Sequence, residues 1–200
     1  MEVLPPAFYR DQDVVAISRA LLGKVLRTSF GGVETRAIIT ETEAYAGVGD
    51  RASHAYGGRR TRRTEPMYAE GGIAYVYLCY GIHHLFNVVT GPADLPHAVL
   101  IRAGMPVEGT ATMLRRRGRK RVDEGLLAGP GSLARALGIQ TRHSGTSLQG
   151  PRIRIEDHGL RLDERTIRRA PRVGVDYAGE DALLPYRFIA DAPGHLSQVD

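Results

Sequence analysis

The chain has only one cysteine, Cys79, among its 200 residues. An intrachain disulfide is therefore excluded, and a metal cluster held by several thiolates is excluded as well. Chains without disulfides are typical of reducing compartments. The seven histidines form no ligand pattern with acids, and neither GGR nor GPG is a phosphate-binding loop, so the sequence predicts no metal and no nucleotide cofactor.

Lysine is almost as scarce as cysteine, because Lys24 and Lys120 are the only two against 25 arginines. The formal net charge is +5. Arginine enrichment can follow from a GC-rich genome, and it can also reflect a need to grip phosphates with a bidentate fork. The clustering in RRTRR at 59–63 and RRRGRKR at 115–121 favours contact with a polyanion.

No membrane segment is expected. Residues 1–13 lack a basic stretch followed by an apolar run, so no secretory signal is predicted. Residues 71–93 lack Asp, Glu, Lys and Arg, but they contain tyrosine, histidine, asparagine and glycine. That mixture favours a buried pair of strands over a membrane-spanning helix.

Strand-like segments dominate the first half of the chain. Alternating apolar residues predict strands at 24–30, 33–45, 73–80, 84–90 and 97–104, with a tight turn at the glycine pair 31–32. Apolar spacing predicts helices at 11–22, 107–117 and 131–138, the first capped by Asp11 or Asp13. Later strands are expected at 152–156, 171–176 and 186–190. Closely joined strands are antiparallel.

This order of elements predicts one α+β domain over residues 1–200, with a curved, mainly antiparallel sheet surrounded by helices. The Gly- and Arg-rich segment 46–66 is expected to be a long loop, which in a compact domain is usually functional or disordered. Residues 118–128 form a second gap between elements.

The segment ITETEAYAG at 39–47 carries candidate chemistry. Alternate residues of a strand share a face, so Glu41, Glu43 and Tyr45 are expected to point the same way. An edge strand with a solvated acidic face would explain the pattern, and so would a general base beside a stacking ring. The strand runs into the long loop, a position that often carries catalytic residues.

Other polar residues interrupt apolar strands. Tyr75, Tyr77 and Tyr80 crowd the segment AYVYLCYG, in a chain without tryptophan, either as core residues or as flat rings for a nucleobase. Asn87 and Arg102 stand inside apolar runs. A buried arginine needs a carboxylate, so Arg102 is expected to meet Glu41 or Glu43, in a structural or a catalytic pair. His54 is open to either a surface or a stacking role.

The motifs in order are LLGKVL, ETEAY, ASHAYGGRRTRRTEPMY, AYVYLCYGIHHLFNVV, AVLIRAGMPVEG, GPGSLARALGI and PRVGVDYAGEDALLPYRF. This series resembles the alkyladenine DNA glycosylase family, also called 3-methyladenine or alkylpurine glycosylases, over about residues 5–190. The histidine pair 83–84 and the RRTRR run differ from many relatives, so local DNA contacts are expected to differ. The lack of the long N-terminal extension of vertebrate members suggests a compact bacterial type.

The resemblance implies a catalytic set of three residues. By that likeness Glu43 activates the attacking water, Arg102 helps to hold this water, and Val173 supplies a backbone carbonyl to it. The implied reaction is hydrolysis of the bond between a damaged purine and deoxyribose, after the nucleotide has been flipped out of the duplex.

The resemblance also implies the groups that hold the base. Tyr45 and His54 would lie on opposite sides of the base, Tyr77 would complete the sandwich, and Asn87 would screen purines at the pocket floor. Tyr80 would be the wedge that fills the vacancy in the duplex. The arginines of the first basic block are the candidate contacts to the DNA backbone: Arg59, Arg60, Arg62 and Arg63.

Two further expectations complete the hypothesis. Glycosylases that also cut the strand use an amine to form a Schiff base, and both lysines lie outside the pocket motifs, so a monofunctional mechanism is predicted. The expected partner is double-stranded DNA with alkylated or deaminated purines, bound by a monomer in the bacterial cytoplasm at the nucleoid, or in the nucleus of a eukaryote. A non-catalytic nucleic-acid-binding module and a hydrolase of free nucleosides or RNA are the alternatives.

Overall fold

The structure of the chain is a computed structural model, in which residues 2–190 are described. Four short α-helices accompany nine β-strands in this part of the chain. In chain order they are β1 (Glu2–Val3), α1 (Pro6–Tyr9), α2 (Val14–Ala20), β2 (Val25–Phe30), β3 (Val33–Tyr45), β4 (Ala74–Cys79), β5 (His83–Thr90), β6 (His97–Glu108), α3 (Thr110–Arg117), α4 (Pro130–Leu137), β7 (Ile153–Asp157), β8 (Ile167–Ala170) and β9 (Arg187–Ala190).

One sheet contains all nine strands, in the order β1-β7-β2-β3-β6-β5-β4, with β9 pairing both β3 and β8. Every pairing is antiparallel. The α+β class and the mainly antiparallel sheet are therefore confirmed. The glycine pair at 31–32 has φ of 60° and 77°, as the tight turn between β2 and β3 requires. Asp13, one of the two predicted caps, accepts hydrogen bonds from the Val15 and Ala16 amides at the start of α2.

The long strand β3 changes partner along its length. Its first part pairs with β2, and residues 41–43 pair with β9, while β6 runs along its other edge. Register shifts interrupt the β3–β6 ladder around Glu41. Irregularities of this kind bend a strand and redirect its side chains, and two of them flank Glu41, the first acid of the segment that ends β3.

The two faces of the sheet are chemically different around β3, β6, β5 and β4. Residues that lie directly opposite each other on neighbouring strands point to the same face. One such row joins Glu43, Leu100, Asn87 and Tyr75 across these four strands. The opposite face carries apolar residues of the main core: Ala44, Val76, Phe86, Val88, Val99 and Ile101. One face is thus free for a polar site above a continuous apolar layer.

Several predicted boundaries need correction. Residues 171–176 were expected to form a strand, but the strand is β8 at Ile167–Ala170, and the segment after it is irregular. Residues 107–108 belong to β6 and not to the following helix. Segment 118–128 contains a short 3₁₀ turn, and its Leu126 and Leu127 are buried in the main core. The loop 46–66 includes the 3₁₀ turns Gly47–Gly49 and Tyr56–Gly58 and the start of Glu65–Tyr68.

The remaining 3₁₀ turns are Thr141–His143, Glu164–Thr166 and Asp176–Leu183. Within residues 2–190, no helix combines the length and the apolar composition needed to cross a membrane.

Candidate active site

A cavity of about 440 Å³ opens on the polar face of the sheet. The end of β3, the loop after it, and strands β4, β5 and β6 supply most of its walls, and residues 129–132 and 173–177 close its sides. Its lining includes seven of the residues expected at the site, namely Tyr45, His54, Tyr77, Tyr80, Asn87, Arg102 and Val173. Glu43 lies behind this lining and is fully buried.

Both carboxylate oxygens of Glu43 are engaged. Oε2 accepts a hydrogen bond of 2.8 Å from the hydroxyl of Tyr45, and Oε1 accepts one of 2.8 Å from the backbone N–H of Val173. The guanidinium of Arg102 lies 3.3 Å from Oε1. Burial raises the pKa of Glu43 above its ordinary value, while Arg102, Val173 and Tyr45 oppose the rise. Arg102 lowers this pKa, but desolvation is the larger effect.

Arg102 lies between two carboxylates. Its Nε donates to Glu41 Oε1 at 2.8 Å, so it meets both of the acids that were its candidate partners. Glu41 also lies 3.7 Å from Arg187 on β9. Two acids and two arginines therefore alternate at this edge of the cavity. Their mutual attraction offsets part of the free energy that burying each charge alone would cost.

The aromatic residues form an edge-to-face cluster. The rings of His54 and Tyr77 have centroids 4.6 Å apart at 77°, so they contact each other and leave no room for a base between them. His54 Nδ1 lies 2.9 Å from the hydroxyl of Tyr75. Burial, with the charges of Arg63 and Arg59, lowers the pKa of His54 to about 4. The imidazole is therefore neutral at physiological pH.

Asn87 is buried, and its amide nitrogen donates to the Tyr75 carbonyl at 3.2 Å. This contact fixes the side chain at the floor of the cavity, on the same row of the sheet as Glu43. Tyr75 was noticed in the sequence as part of the tyrosine cluster, but not as a support for His54. Its period-two spacing from Tyr77 is the signal that places both rings on one face.

Tyr80 is at the tip of the β4–β5 hairpin, and 89% of its surface is exposed. Its φ is 50°, a left-handed conformation that is rare for a residue with a bulky side chain. Gly81 follows with φ of 73°, and the Ile82 amide donates to the Cys79 carbonyl to close the turn. The hairpin therefore holds an aromatic ring out into solvent at the rim of the cavity.

The four arginines of the first basic block differ in their contacts. Arg60 pairs with Glu65 and Asp94 and packs over the ring of Tyr68. Arg63 lies over the ring of Tyr77, 5.2 Å from its centroid. Within residues 2–190, Arg59, Arg62 and Arg63 are exposed and make no ion pair. Because Arg63 packs on Tyr77, Arg59 and Arg62 are the two arginines of this block whose side chains are most available to an external anion.

Three arginines of the second basic block have partners within the protein. Arg116 donates to the Ala136 carbonyl at the end of α4, and Arg117 donates to the Leu126 carbonyl. Arg119 pairs with Asp123. The first two contacts satisfy backbone carbonyls that chain turns leave without partners. A count of basic residues in the sequence does not reveal these contacts.

Three residues of the site, Arg172, Asp50 and Tyr177, could not be identified from the sequence. Arg172 and Asp50 form a buried ion pair beside Tyr45, and the exposed ring of Tyr177 lines the cavity mouth. Arg172 directly precedes Val173 in PRVGV, and Asp50 ends the segment AYAGVGD, but nothing local to either motif indicates that they meet. Among the described residues, no group of three or more His, Cys, Asp or Glu side chains is arranged to hold a metal ion.

Comparison with known proteins adds a family and close relatives. The model of the family described as methylpurine-DNA glycosylase matches residues 7–193. A protein of Chlamydia abortus named as a candidate 3-methyladenine DNA glycosylase is 48% identical, over 94% of this chain and 97% of the relative. A relative with the same name from Bacillus cytotoxicus is 43% identical, over 92% of this chain and 94% of the relative.

Proposed function

The chain belongs to the methylpurine-DNA glycosylase family, and we propose that it is a monofunctional enzyme that excises alkylated and deaminated purines from double-stranded DNA. It is a hydrolase of the N-glycosidic bond. The observation that carries the proposal is the position of Glu43, a buried carboxylate 3.3 Å from Arg102 and 2.8 Å from the Tyr45 hydroxyl, directly behind an aromatic cavity.

Extrusion of the nucleotide is the first step of the proposed reaction. The glycosidic bond is inaccessible inside the stacked duplex, and flipping a base costs a few kcal/mol, less for damaged or mispaired bases. The exposed ring of Tyr80 would occupy the vacancy and offset part of this cost. Arg59 and Arg62 would contact the phosphates beside the cavity.

Recognition of the base would follow from the aromatic walls. Because His54 and Tyr77 contact each other, the base would pack with Tyr45 on one side and this pair on the other. Purines alkylated on a ring nitrogen carry positive charge, and an electron-rich ring attracts such a base by about 0.5–2 kcal/mol per contact. A neutral His54 adds no repulsion. Asn87 would screen the edge of the purine at the floor.

Hydrolysis would use Glu43 as the general base. Water attacks the anomeric carbon of the sugar, its proton passes to the Glu43 carboxylate, and the purine leaves with the electron pair of the glycosidic bond. Arg102 and the Val173 backbone would position this water. The carboxylate must be ionised to accept the proton, so activity should fall as the pH falls through the raised pKa of Glu43.

The lysines support a direct hydrolytic mechanism. Lys24 pairs with Asp157 on β7 and lines no part of the cavity. Lys120 lies in the second basic block, outside the lining as well. Their positions outside the lining support a mechanism without a Schiff base to the flipped sugar. We further propose that the protein acts as a monomer in the bacterial cytoplasm, where its substrate is the chromosome.

A panel of duplexes, each with one defined lesion, tests the proposal. We expect release of the free base from methylated purine duplexes, no release from the corresponding free nucleoside, and no adduct after borohydride treatment. Binding of the duplexes without base release would identify a non-catalytic binding module. Equal turnover of free nucleoside would indicate a nucleoside hydrolase, and a trapped adduct would contradict the monofunctional mechanism.

A further inference from the structure

The segment that carries Val173 has no strand partner of its own. Val173 is nearly half exposed, and Gly174 follows with φ of 73°, so this part of the chain is irregular. The backbone N–H of Val173 nevertheless donates a hydrogen bond to Glu43. Something other than a β-ladder must therefore hold the segment at the distance that this hydrogen bond needs.

Arg172, the residue before Val173, provides that link. Its side chain is fully buried and makes four contacts to oxygen atoms. Nη1 donates to the Ala44 carbonyl at 2.9 Å and to Asp50 Oδ2, and Nη2 donates to Asp50 Oδ1 at 2.9 Å and to the Asp181 carbonyl at 3.0 Å. The guanidinium also lies over the ring of Tyr45, 4.9 Å from its centroid.

Asp50 connects the same guanidinium to the loop after β3. Its two oxygens accept hydrogen bonds from the Ala46 and Ala52 amides, at 2.9 and 3.0 Å. A bidentate arginine–carboxylate pair is rigid in direction as well as strong. The pair therefore joins the end of β3, the loop that leads to His54 and the Val173 segment. A small apolar cluster of Ala52, Val175 and Ala178 packs between loop and segment.

Neither Arg172 nor Asp50 lines the cavity, whereas Tyr45 and Val173 do. The pair thus contacts the site from behind and cannot touch a base held inside it. We infer that Arg172 and Asp50 are positioning residues: their buried ion pair holds the Val173 backbone against Glu43 and fixes the Tyr45 ring. This inference rests on the proposed function of Glu43 as the general base.

A pH profile separates this role from a merely structural one. The charged and titratable groups that face Glu43 are Glu41 and Tyr45 on β3, Arg102 on β6, Arg187 on β9, Tyr77 on β4, and Arg172 itself. The Val173 N–H lowers the pKa of Glu43. When the segment loosens and this hydrogen bond is lost, the pKa of Glu43 should rise further, and the acidic limb of the excision rate should move to higher pH.

Arg172→Lys is the main variant, because lysine keeps the charge but not the bidentate fork. We expect its single-turnover excision rate to fall by about 10- to 100-fold, with a change in DNA affinity of less than about threefold. The acidic limb should move to higher pH. Arg27→Lys is the matched control, since Arg27 also joins a carboxylate, Glu34, to a backbone carbonyl, that of Pro151, but on β2 outside the site.

Asp50→Asn is a second and more discriminating variant. It tests the positioning role even if Arg172→Lys does not fold. Removing a negative charge near Glu43 would by electrostatics alone lower the pKa of Glu43 and move the limb to lower pH. If the pair positions Val173 against Glu43, Asp50→Asn should instead move the acidic limb to higher pH. The double variant should be no slower than the slower single variant, because both substitutions break one interaction.

Glu43→Gln is assayed alongside, so that the two hypotheses can fail separately. If Glu43→Gln excises at the wild-type rate, the proposed function is wrong. If Glu43→Gln is inactive but the folded Arg172→Lys and Asp50→Asn variants keep the rate and acidic limb of Arg27→Lys, only the positioning role is wrong. If the acidic limb of Asp50→Asn moves to lower pH, the positioning role is also wrong.

Discussion

The backbone N–H of Val173 donates a hydrogen bond of 2.8 Å to Glu43, although 130 positions of sequence separate the two residues. Together with Tyr45 and Arg102, this contact engages the carboxylate before any DNA is present. Preorganised groups of this kind need no rearrangement at the moment of reaction. The site is therefore built by the folded chain and not by its substrate.

His54 should stay neutral across the physiological pH range. Burial and the nearby charges of Arg63 and Arg59 lower its pKa to about 4. Between pH 6.5 and about 4 the unfolded chain binds a proton at His54 more readily than the folded chain does. The free energy of unfolding should therefore decrease as the pH falls through this range. NMR titration of the imidazole should give a midpoint near 4, and Arg63→Gln should raise it. A wild-type midpoint near 6.5 would contradict the burial argument.

Tyr80 should contribute to catalysis at the expense of stability. A left-handed backbone costs a residue with a side chain about 1–2 kcal/mol, and glycine avoids most of this cost. We expect Tyr80→Gly to raise the free energy of unfolding by up to about 1 kcal/mol, while excision from duplex DNA falls by at least about tenfold.

The lesion context provides the control for Tyr80. Because the wedge offsets the cost of opening the duplex, the loss in Tyr80→Gly should be smaller for a lesion opposite a mismatch than for a fully paired one. Urea unfolding and single-turnover excision on the two duplexes measure both effects. Equal losses of excision rate on both duplexes would mean that Tyr80 does not act by filling the space that the flipped nucleotide leaves.

The arginines of the first basic block should separate into two classes. Arg59→Gln and Arg62→Gln should each reduce the slope of log Kd against log salt concentration, by about 0.9 for one lost phosphate contact. Arg60→Gln should leave the slope unchanged and lower stability, because Arg60 is paired with Glu65 and Asp94. Salt titrations of DNA binding measure the slopes, and a slope that falls with Arg60→Gln would reassign that residue to the DNA interface.

Much of the sheet could be predicted from the sequence, because alternation within a strand is a local signal. The same alternation predicts that Glu41, Glu43 and Tyr45 share a face of β3. The cost of burying an unpaired charge predicts that Arg102 meets Glu41 or Glu43, and in the structure it meets both. These inferences needed only spacing and the chemistry of single residues.

The parts that sequence reasoning missed depend on contacts between distant segments. Residues 171–176 were expected to form a strand, but Arg172 is held by side-chain and loop contacts instead of a ladder. The density of arginine at 59–63 and 115–121 indicates contact with a polyanion, but it does not reveal that Arg60, Arg116 and Arg117 also make contacts within the protein. Neither kind of contact leaves a periodic pattern of residues in the sequence from which it could be predicted.

Glu43 should itself reduce stability at neutral pH. Its folded pKa lies above the ordinary value, so its favourable contribution is complete at low pH and is lost as the pH rises through the folded pKa. Glu43→Gln removes the buried charge and keeps a hydrogen-bond acceptor for Val173. The melting temperature of the variant should exceed that of wild type at pH 7, with the difference shrinking towards pH 4. A gain that is independent of pH would contradict this account.

The most direct test compares single-turnover excision from a methylated-purine duplex by wild type and Glu43→Gln, with DNA affinity measured on the same samples. Since a general base contributes about 10²–10⁴-fold, the account predicts that the variant binds the duplex with unchanged affinity but releases base at least about 100-fold more slowly. A variant that binds normally and excises at the wild-type rate would show that Glu43 is not the general base.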